Sequence, residues 1–303
     1  MNHIQRLAAN GGDPLAHGEG VIELAMPSLS RPYRAQLAST VIAKARLHGY
    51  RVDVVNYGED LGLSPEEYMD TRHGACDGLL LYLVGDGSVS EEALAQPFPV
   101  VCMGPSRRLG ADQVLADNET DARNATELLI GKGSRRLALV GAQEPFSPDR
   151  LDDVRGETRG WERVGGMLAA LKAHGLALEP RLIGVTGNEW TIGNGYRVMD
   201  ALIAAGEPFD GVVALSDQLA IGVLFALNKA GLCVPDDVQL IGFDNFYESA
   251  YTAPALTTVD SNIDWIAGAA VDLLARRMHE GGSVTRPMRF MRESRIILRG
   301  TTR

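Results

Sequence analysis

The sequence predicts an α/β protein of two doubly wound, parallel-sheet lobes joined by a hinge. Three observations carry that expectation. Short β-rich runs alternate with longer amphipathic stretches along the chain, the rhythm of parallel strands joined by right-handed crossovers. The segment GLLLYLV at 78–84 is a near-continuous apolar run, the mark of a strand covered on both faces of its sheet. A chain of 303 residues is too long for one small core and suits two lobes of roughly 100–150 residues each.

Taken in order, residues 21–26 read as the first strand. A helix follows over 32–48, with Leu37, Val41, Ala45 and Leu47 near one face and Gly49 as its stop. Residues 51–56 form a second strand, and 64–73 a helix with Ser64 as N-cap, Pro65 at N1 and Glu67 at N3. Strands follow at 78–84 and 99–103, a helix at 118–132 and a strand at 136–140. Helix 161–174 ends at Gly175, strand 181–185 precedes helix 192–205 with its stop at Gly206, and strand 211–215 precedes helix 218–230 with its stop at Gly231. A strand at 238–242, a long helix at 264–278 and a terminal strand at 288–298 complete the chain. The polar, two-proline segment GAQEPFSPD at 141–149 is the expected break between lobes. The expected division is therefore a linker at 1–19, an N-terminal lobe of 20–142 plus 262–287, and a C-terminal lobe of 143–261 plus 288–303. Folds of this kind bind ligands beyond the carboxyl ends of their strands, so two such lobes are expected to offer a cleft.

Charge and cysteine content narrow the function. Lys plus Arg total 29 against 39 Asp plus Glu, a net charge of −10, which repels phosphate backbones on average. Cys76, Cys102 and Cys233 beside apolar runs fit no zinc spacing and read as reduced core cysteines of a cytoplasmic protein. The longest apolar stretch, 79–84, is far short of the roughly 20 residues that cross a bilayer. The opening MNHIQRLAANGGDPLAHGEG has no apolar core of a secretory signal.

Catalytic signals are absent. There is no HExxH, CxxC or G-x-S-x-G. His3, His17, His48, His73, His174 and His279 are scattered, mostly at helix ends, and read as caps. Gly131, Lys132, Gly133 and Ser134 follow a helix and precede a strand, the reverse of a phosphate loop, and read as a glycine helix stop. Gly193 and Gly195 lie inside a helix without dinucleotide-binding spacing, and the acidic pairs Asp152/Asp153 and Asp236/Asp237 fall in a loop and a turn. No catalytic residue, metal ligand or cofactor is predicted.

Seven segments in order carry a resemblance. DGLLL at 77–81 is similar to a "D-G-apolar-apolar" strand, and RVGGMLAAL at 163–171 to "R-x-x-G-f-x-x-A-L". Glu189 and Trp190 with Gly195 and Tyr196 resemble "d-W…G-y", and SDQLAIG at 216–222 resembles "N-D-x-x-A-x-G". VPDDV at 234–238 through IGFDN at 241–245 resembles "V-P-x-D-v…v-G-f-D-d", PALTTV at 254–259 resembles "P-x-L-T-T-V", and LRGTT at 298–302 resembles "l-x-x-R-x-S/T-T". These patterns are those of the LacI/GalR family of transcription regulators, and the resemblance runs from about residue 20 to the end. It implies a periplasmic-binding-protein-like type I fold and an effector-binding part without the family's N-terminal helix-turn-helix. Residues 2–7, NHIQRL, faintly resemble the family's hinge helix. Two readings stay open: a longer parent chain, which is favoured, or a sensor without a DNA reader.

The resemblance also implies a site. Arg163 fits the family's cleft arginine, a rigid fork of donors for hydroxyls or carboxylates; the plain alternative is a surface arginine. Asp244 fits a carboxylate accepting from ligand hydroxyls or amines; the alternative is a turn aspartate. Trp190 is expected to stack on a ring or to pack in the core, Ser216 stands where the family has Asn, and Asp217 is expected to cap the next helix or touch ligand. Ser28, Arg31, Tyr33 and Tyr82 are the first-lobe candidates, and Phe246 an apolar wall. Gly104, where many relatives carry Asp, and Ser216 both reduce hydrogen-bonding capacity. The implied effector is a sugar or related polar metabolite, smaller, less hydroxylated or more aromatic than a hexose. The implied assembly is a homodimer meeting through 32–48 and 64–73, with ligand shifting its DNA-binding state. A solute-binding protein for sugar uptake by an ABC transporter is the alternative; a sugar hydrolase would need an acid–base pair that the sequence lacks.

Overall fold

The computed structural model describes residues 20–71, 76–84, 89–104, 109–148, 158–281 and 286–303. The chain divides into two compact units, one running to Leu115 and resuming over Ile263–Met291, the other spanning Ala116–Asn262 and Arg292–Arg303. Both are parallel-sheet α/β units, as the alternating pattern predicts. The expected hinge-helix remnant at 2–7 and the acidic pair Asp152/Asp153 lie outside the described residues.

Unit 1 holds β1 (Val21–Met26), α1 (Pro32–Leu47), β2 (Arg51–Asn56), α2 (Pro65–Asp70), β3 (Gly78–Tyr82), α3 (Glu91–Leu94), β4 (Val100–Met103), β5 (Asp112–Ala116), and later α8 (Ile263–His279) and β11 (Arg289–Arg292). Its sheet order is β11-β5-β4-β3-β1-β2, with β1 parallel to both β2 and β3. β3 is apolar and buried along its whole length, and β1 is buried beyond its first residue with Glu23 among its buried side chains. The α2 start is the expected capping box: Glu67 N donates to Ser64 Oγ at 3.2 Å and Ser64 N to Glu67 Oε2 at 2.8 Å. That helix stops at Asp70, with Thr71 as C-cap.

Unit 2 holds α4 (Asn118–Gly131), β6 (Leu137–Ala142), α5 (Arg159–Ala173), β7 (Ile183–Val185), α6 (Ile192–Ala205), β8 (Gly211–Ala214), α7 (Asp217–Lys229), β9 (Gln239–Phe243), β10 (Thr257–Asp260) and β12 (Arg295–Ile297). Its sheet order is β12-β10-β9-β8-β6-β7. The core joins Leu137, Leu139, Val213 and Ile241 of the sheet to Val164, Met167, Val223 and Leu227 of the helices. Helix pairs touch closely where side chains are missing. A Cβ on Gly166 of α5 would sit 2.1 Å from Glu119 O of α4, and one on Gly222 of α7 would sit 2.1 Å from Ile192 O of α6.

Several expectations are corrected. The division falls after Leu115, not near 142, because α4 packs on α5 and β6 lies inside the second sheet. β5 and β10 were not legible as strands. The expected single strand at 288–298 is two strands, β11 in one sheet and β12 in the other. Cys102 is buried, and burial pushes its thiol up to about 12; Cys233, expected in the core, is exposed. The glycine stop stands as predicted: Gly133 takes φ 102° and Ser134 N bonds Leu129 O at 3.0 Å. His48 and His174 are C-caps of α1 and α5, and His279 ends α8. Among the described residues no helix is long and apolar enough to cross a membrane.

Candidate functional site

In unit 2 the strand order reverses at β6, which lies between β7 and β8. The carboxyl ends of strands around such a reversal are where this architecture exposes backbone and loops to ligands. The candidates gather there. Leu215 and Ser216 follow β8, Asp244 follows β9, Trp190 bonds the β6 backbone, and α5 supplies Arg163.

Thr158 caps α5 through its hydroxyl, at 3.3 Å from Trp161 N, and so sets Arg163 in the second turn. Arg163 is 2% exposed, not a surface arginine. Its guanidinium donates from Nε to Asn118 Oδ1 at 3.0 Å, from Nη1 to Leu215 O at 2.5 Å and from Nη2 to Asp244 Oδ1 at 3.4 Å. The guanidinium carbon lies 4.3 Å from the Phe243 ring centroid and 5.9 Å from that of Trp190, within cation–π range. Trp190 is half-buried, packed against the unit 2 core and tethered by its indole N–H to Gly141 O at 3.1 Å. Asn118 in turn donates to Glu162 Oε2 at 2.9 Å.

Asp244 is 6% exposed and adopts φ 108°, followed by Asn245 at φ 55°. Non-glycine residues hold such backbone only where surroundings over-determine it, and these positions concentrate at ligand clamps. Asp244 Oδ1 accepts from Arg163 and from Ser261 Oγ at 3.0 Å; its Oδ2 has no hydrogen-bond partner among the described residues. The arrangement is a carboxylate oriented on one oxygen and available on the other. Phe246 is 4% exposed, and its backbone N–H donates to Asp217 Oδ2 at 2.9 Å.

One expectation about α7 is corrected. Ser216, not Asp217, is the N-cap, accepting from Leu219 N at 3.3 Å. Asp217 is 0% exposed and its two oxygens accept from Phe246 N, Ser249 Oγ and Thr258 Oγ1, so both are engaged by protein donors.

In unit 1 the candidates also follow the carboxyl ends of strands. Ser28, after β1, is buried and its hydroxyl is shared with Ser30, at 2.7 Å, and with Glu59. Glu59 carries no site signal in the sequence; the Ser28 and Ser30 hydroxyls hold its carboxyl below the ordinary carboxylate range. Arg31 is the N-cap of α1 without a side-chain cap bond. Tyr33 and Tyr82 pair with ring centroids 6.2 Å apart, and Tyr57 OH anchors the Tyr82 carbonyl at 3.1 Å. Gly104 has φ 137°, and a Cβ there would meet Leu83 O at 2.2 Å, so a side chain is excluded by the backbone itself. Among the described residues no group of three or more His, Cys, Asp or Glu could hold a metal.

Asn118, Ser261 and Glu59 carried no recognisable pattern in sequence. Asn118 stands 45 residues from Arg163, and only the packing of α4 on α5 joins them. The positive φ of Asp244 likewise has no sequence signal, since glycine is absent from the turn.

Residues 126–302 match the family described as a periplasmic binding protein-like domain. Catabolite control protein A of Staphylococcus xylosus is 30% identical over 283 residues, spanning 92% of this chain and 80% of that protein. A putative transcriptional regulator of LacI family from Sanguibacter keddieii has a similar structure, with TM-score 0.79 and 35% identity over 93% of this chain and 99% of that one. A LacI-type transcription regulator from Bifidobacterium animalis subsp. lactis gives TM-score 0.82 and 30% identity over 94% and 100%.

Proposed function

Given that the chain belongs to the LacI family of transcriptional regulators, of which it is an effector-binding part, we propose that it senses a sugar or related polar metabolite through Arg163 and Asp244. The observation that carries this reading is the Asp244 carboxylate, strained in backbone, fixed through Oδ1 and, among the described residues, without a hydrogen-bond partner on Oδ2. Such an oxygen accepts a sugar hydroxyl without losing an existing bond. Trp190 supplies a ring for the apolar face of a sugar. Sugars are also the class found in neighbours of this fold: a LacI family regulator from Enterococcus faecium holds ribose, and the regulator CelR is solved with cellobiose.

The proposed mechanism is a population shift. Ligand clasped by residues of both units, with Tyr33 and Tyr82 on the first, favours one arrangement over another. A cytoplasmic homodimer, paired through α1 and the 64–73 segment, relays that shift to a DNA-reading element outside this chain. The net charge of −10 fits a sensor that leaves DNA contact to another element.

Thermal-shift screening against sugars, nucleosides and small acids, followed by titration calorimetry, tests the reading. A hit should weaken on the order of 10- to 100-fold in Asp244→Asn, the loss of one charged hydrogen bond. An affinity untouched by that substitution rejects the assignment. Sedimentation of the purified chain tests the dimer.

A further inference from the structure

We infer that Asp217 is a positioning residue of the effector site: sealed inside unit 2, its carboxylate fixes the backbone of Asn245 and Phe246 and so aims Asp244. The inference rests on Asp244 being the ligand contact proposed above.

Asp217 opens α7, one residue after its N-cap, and is fully buried. Oδ2 accepts directly from Phe246 N at 2.9 Å and from Ser249 Oγ at 2.5 Å. Oδ1 accepts from Thr258 Oγ1 at 2.6 Å, and that hydroxyl oxygen accepts from Asn245 N at 3.3 Å. The two N–H groups that follow Asp244 are therefore both held by one carboxylate, one directly and one through a single hydroxyl. Room for the carboxylate comes from Gly242, where a Cβ would fall 2.3 Å from Asp217 Oδ1. Two further ties complete the frame. Asp244 N bonds Val259 O at 2.9 Å, and Arg299 Nη2 bonds Asn245 Oδ1 at 2.7 Å.

A turn with φ 108° and 55° at consecutive non-glycine residues relaxes toward ordinary backbone unless it is held from several sides. Relaxation would rotate the Asp244 side chain away from Arg163 and Ser261. Burial, with Asp244 alongside, pushes Asp217 up to about 7, which fits a carboxylate enclosed for geometry rather than placed for solvent or ligand. The segments SDQLAIG, IGFDN and PALTTV thus converge on one device: acid, turn and hydroxyl relay.

Amide hydrogen exchange on the intact chain tests this without any ligand. Thr258→Val removes only the hydroxyl relay, Thr258→Ser keeps it, and Asp217→Asn alters the carboxylate. Exchange at Asn245 should rise at least about tenfold in both Thr258→Val and Asp217→Asn, exchange at Phe246 should rise in Asp217→Asn, and Thr258→Ser should stay near wild type, with β8 unchanged throughout. Calorimetric titration with D-ribose and with cellobiose supplies the functional arm. Asp217→Asn should lose at least about tenfold in affinity, and Asp217→Asn combined with Asp244→Asn no more than Asp244→Asn alone. Unchanged exchange at Asn245 in Thr258→Val, or fully additive losses in the double variant, overturns the inference. A wild type that takes neither sugar while the exchange pattern appears counts against the sugar reading alone.

Discussion

Arg163 and Asp244 face each other at 3.4 Å with side chains 3% and 5% exposed, so neither charge can be satisfied by water if the other is removed. Arg163→Met is expected to destabilise the protein by about 3–5 kcal/mol, since it strands a buried carboxylate and leaves Leu215 O and Asn118 Oδ1 without that donor. Asp244→Asn keeps an acceptor for the guanidinium and should cost less; comparing their denaturation midpoints checks the order. A second carboxylate reports on pH. Asp121 in α4 accepts from Ser294 N at 2.7 Å and from Ser294 Oγ at 2.6 Å, yet burial outweighs these bonds and pushes it from 3.8 up to about 6. The folded state then holds the proton more tightly than the unfolded chain. This contribution to stability is complete below about pH 4 and is lost as pH rises through 6. Between pH 5 and 7.5, wild type should lose roughly 1–2 kcal/mol relative to Asp121→Asn, measurable by urea denaturation of both at each pH; a difference independent of pH would contradict it. At this scale the site was half legible. Arg163 and Asp244 sit in motifs, whereas Asn118, Ser261 and Glu59 are ordinary polar residues that gain meaning from partners distant in sequence.

Helices were legible where caps and glycine stops punctuate them, as at Ser64, Gly206 and Gly231. Strands were legible where they are apolar. β5 escaped notice because DQVLA begins with Asp112 and Gln113, both buried; Asp112 is tolerated there by a two-pronged pair with Arg277 of α8, at 2.7 and 3.1 Å. β10 escaped because TTVD reads as polar, yet Thr257 and Thr258 are 0% exposed. Their hydroxyls bond Thr302, Arg299 N and Asp217, a satisfaction that only tertiary structure reveals. Packing of one element on another rests on the motif glycines. Gly195 and Gly222 face each other across α6 and α7, where an added Cβ would come within 2.3 and 2.1 Å of backbone oxygens. Backbone cannot yield as a flexible side chain does. Gly222→Ala should therefore cost about 1–3 kcal/mol by forcing the helices apart, while Gly193→Ala on α6, with nothing within 4 Å of its added Cβ, should be neutral or slightly stabilising. Equal midpoints for the two variants in denaturant would remove this account of the motif.

For the whole molecule, the sequence shows that two sheets exist but misplaces where one ends. The two-proline segment at 141–149 looked like a linker, whereas the chain passes between units at the unremarkable 115/116, 262/263 and 291/292. Composition marks a linker only when the crossing needs length, and here Leu115 to Ala116 lies within a strand. The two divisions differ in a measurable way. A fragment of residues 116–262 joined to 292–303 retains α4, β6 and the complete second sheet. Its ends already meet, since Asn262 Nδ2 bonds Glu293 O at 3.0 Å, so a short glycine linker closes it without strain. It should unfold in one cooperative step with a urea slope of about 1–3 kcal/mol per molar. A fragment cut at 143–261 plus 288–303 lacks α4 and the strand between β7 and β8, leaving Met167 and Val213 of the core uncovered. It should show no cooperative transition. If the second fragment folds and the first does not, the boundary after Leu115 is wrong, and with it the assignment of Asn118 to the Arg163 site.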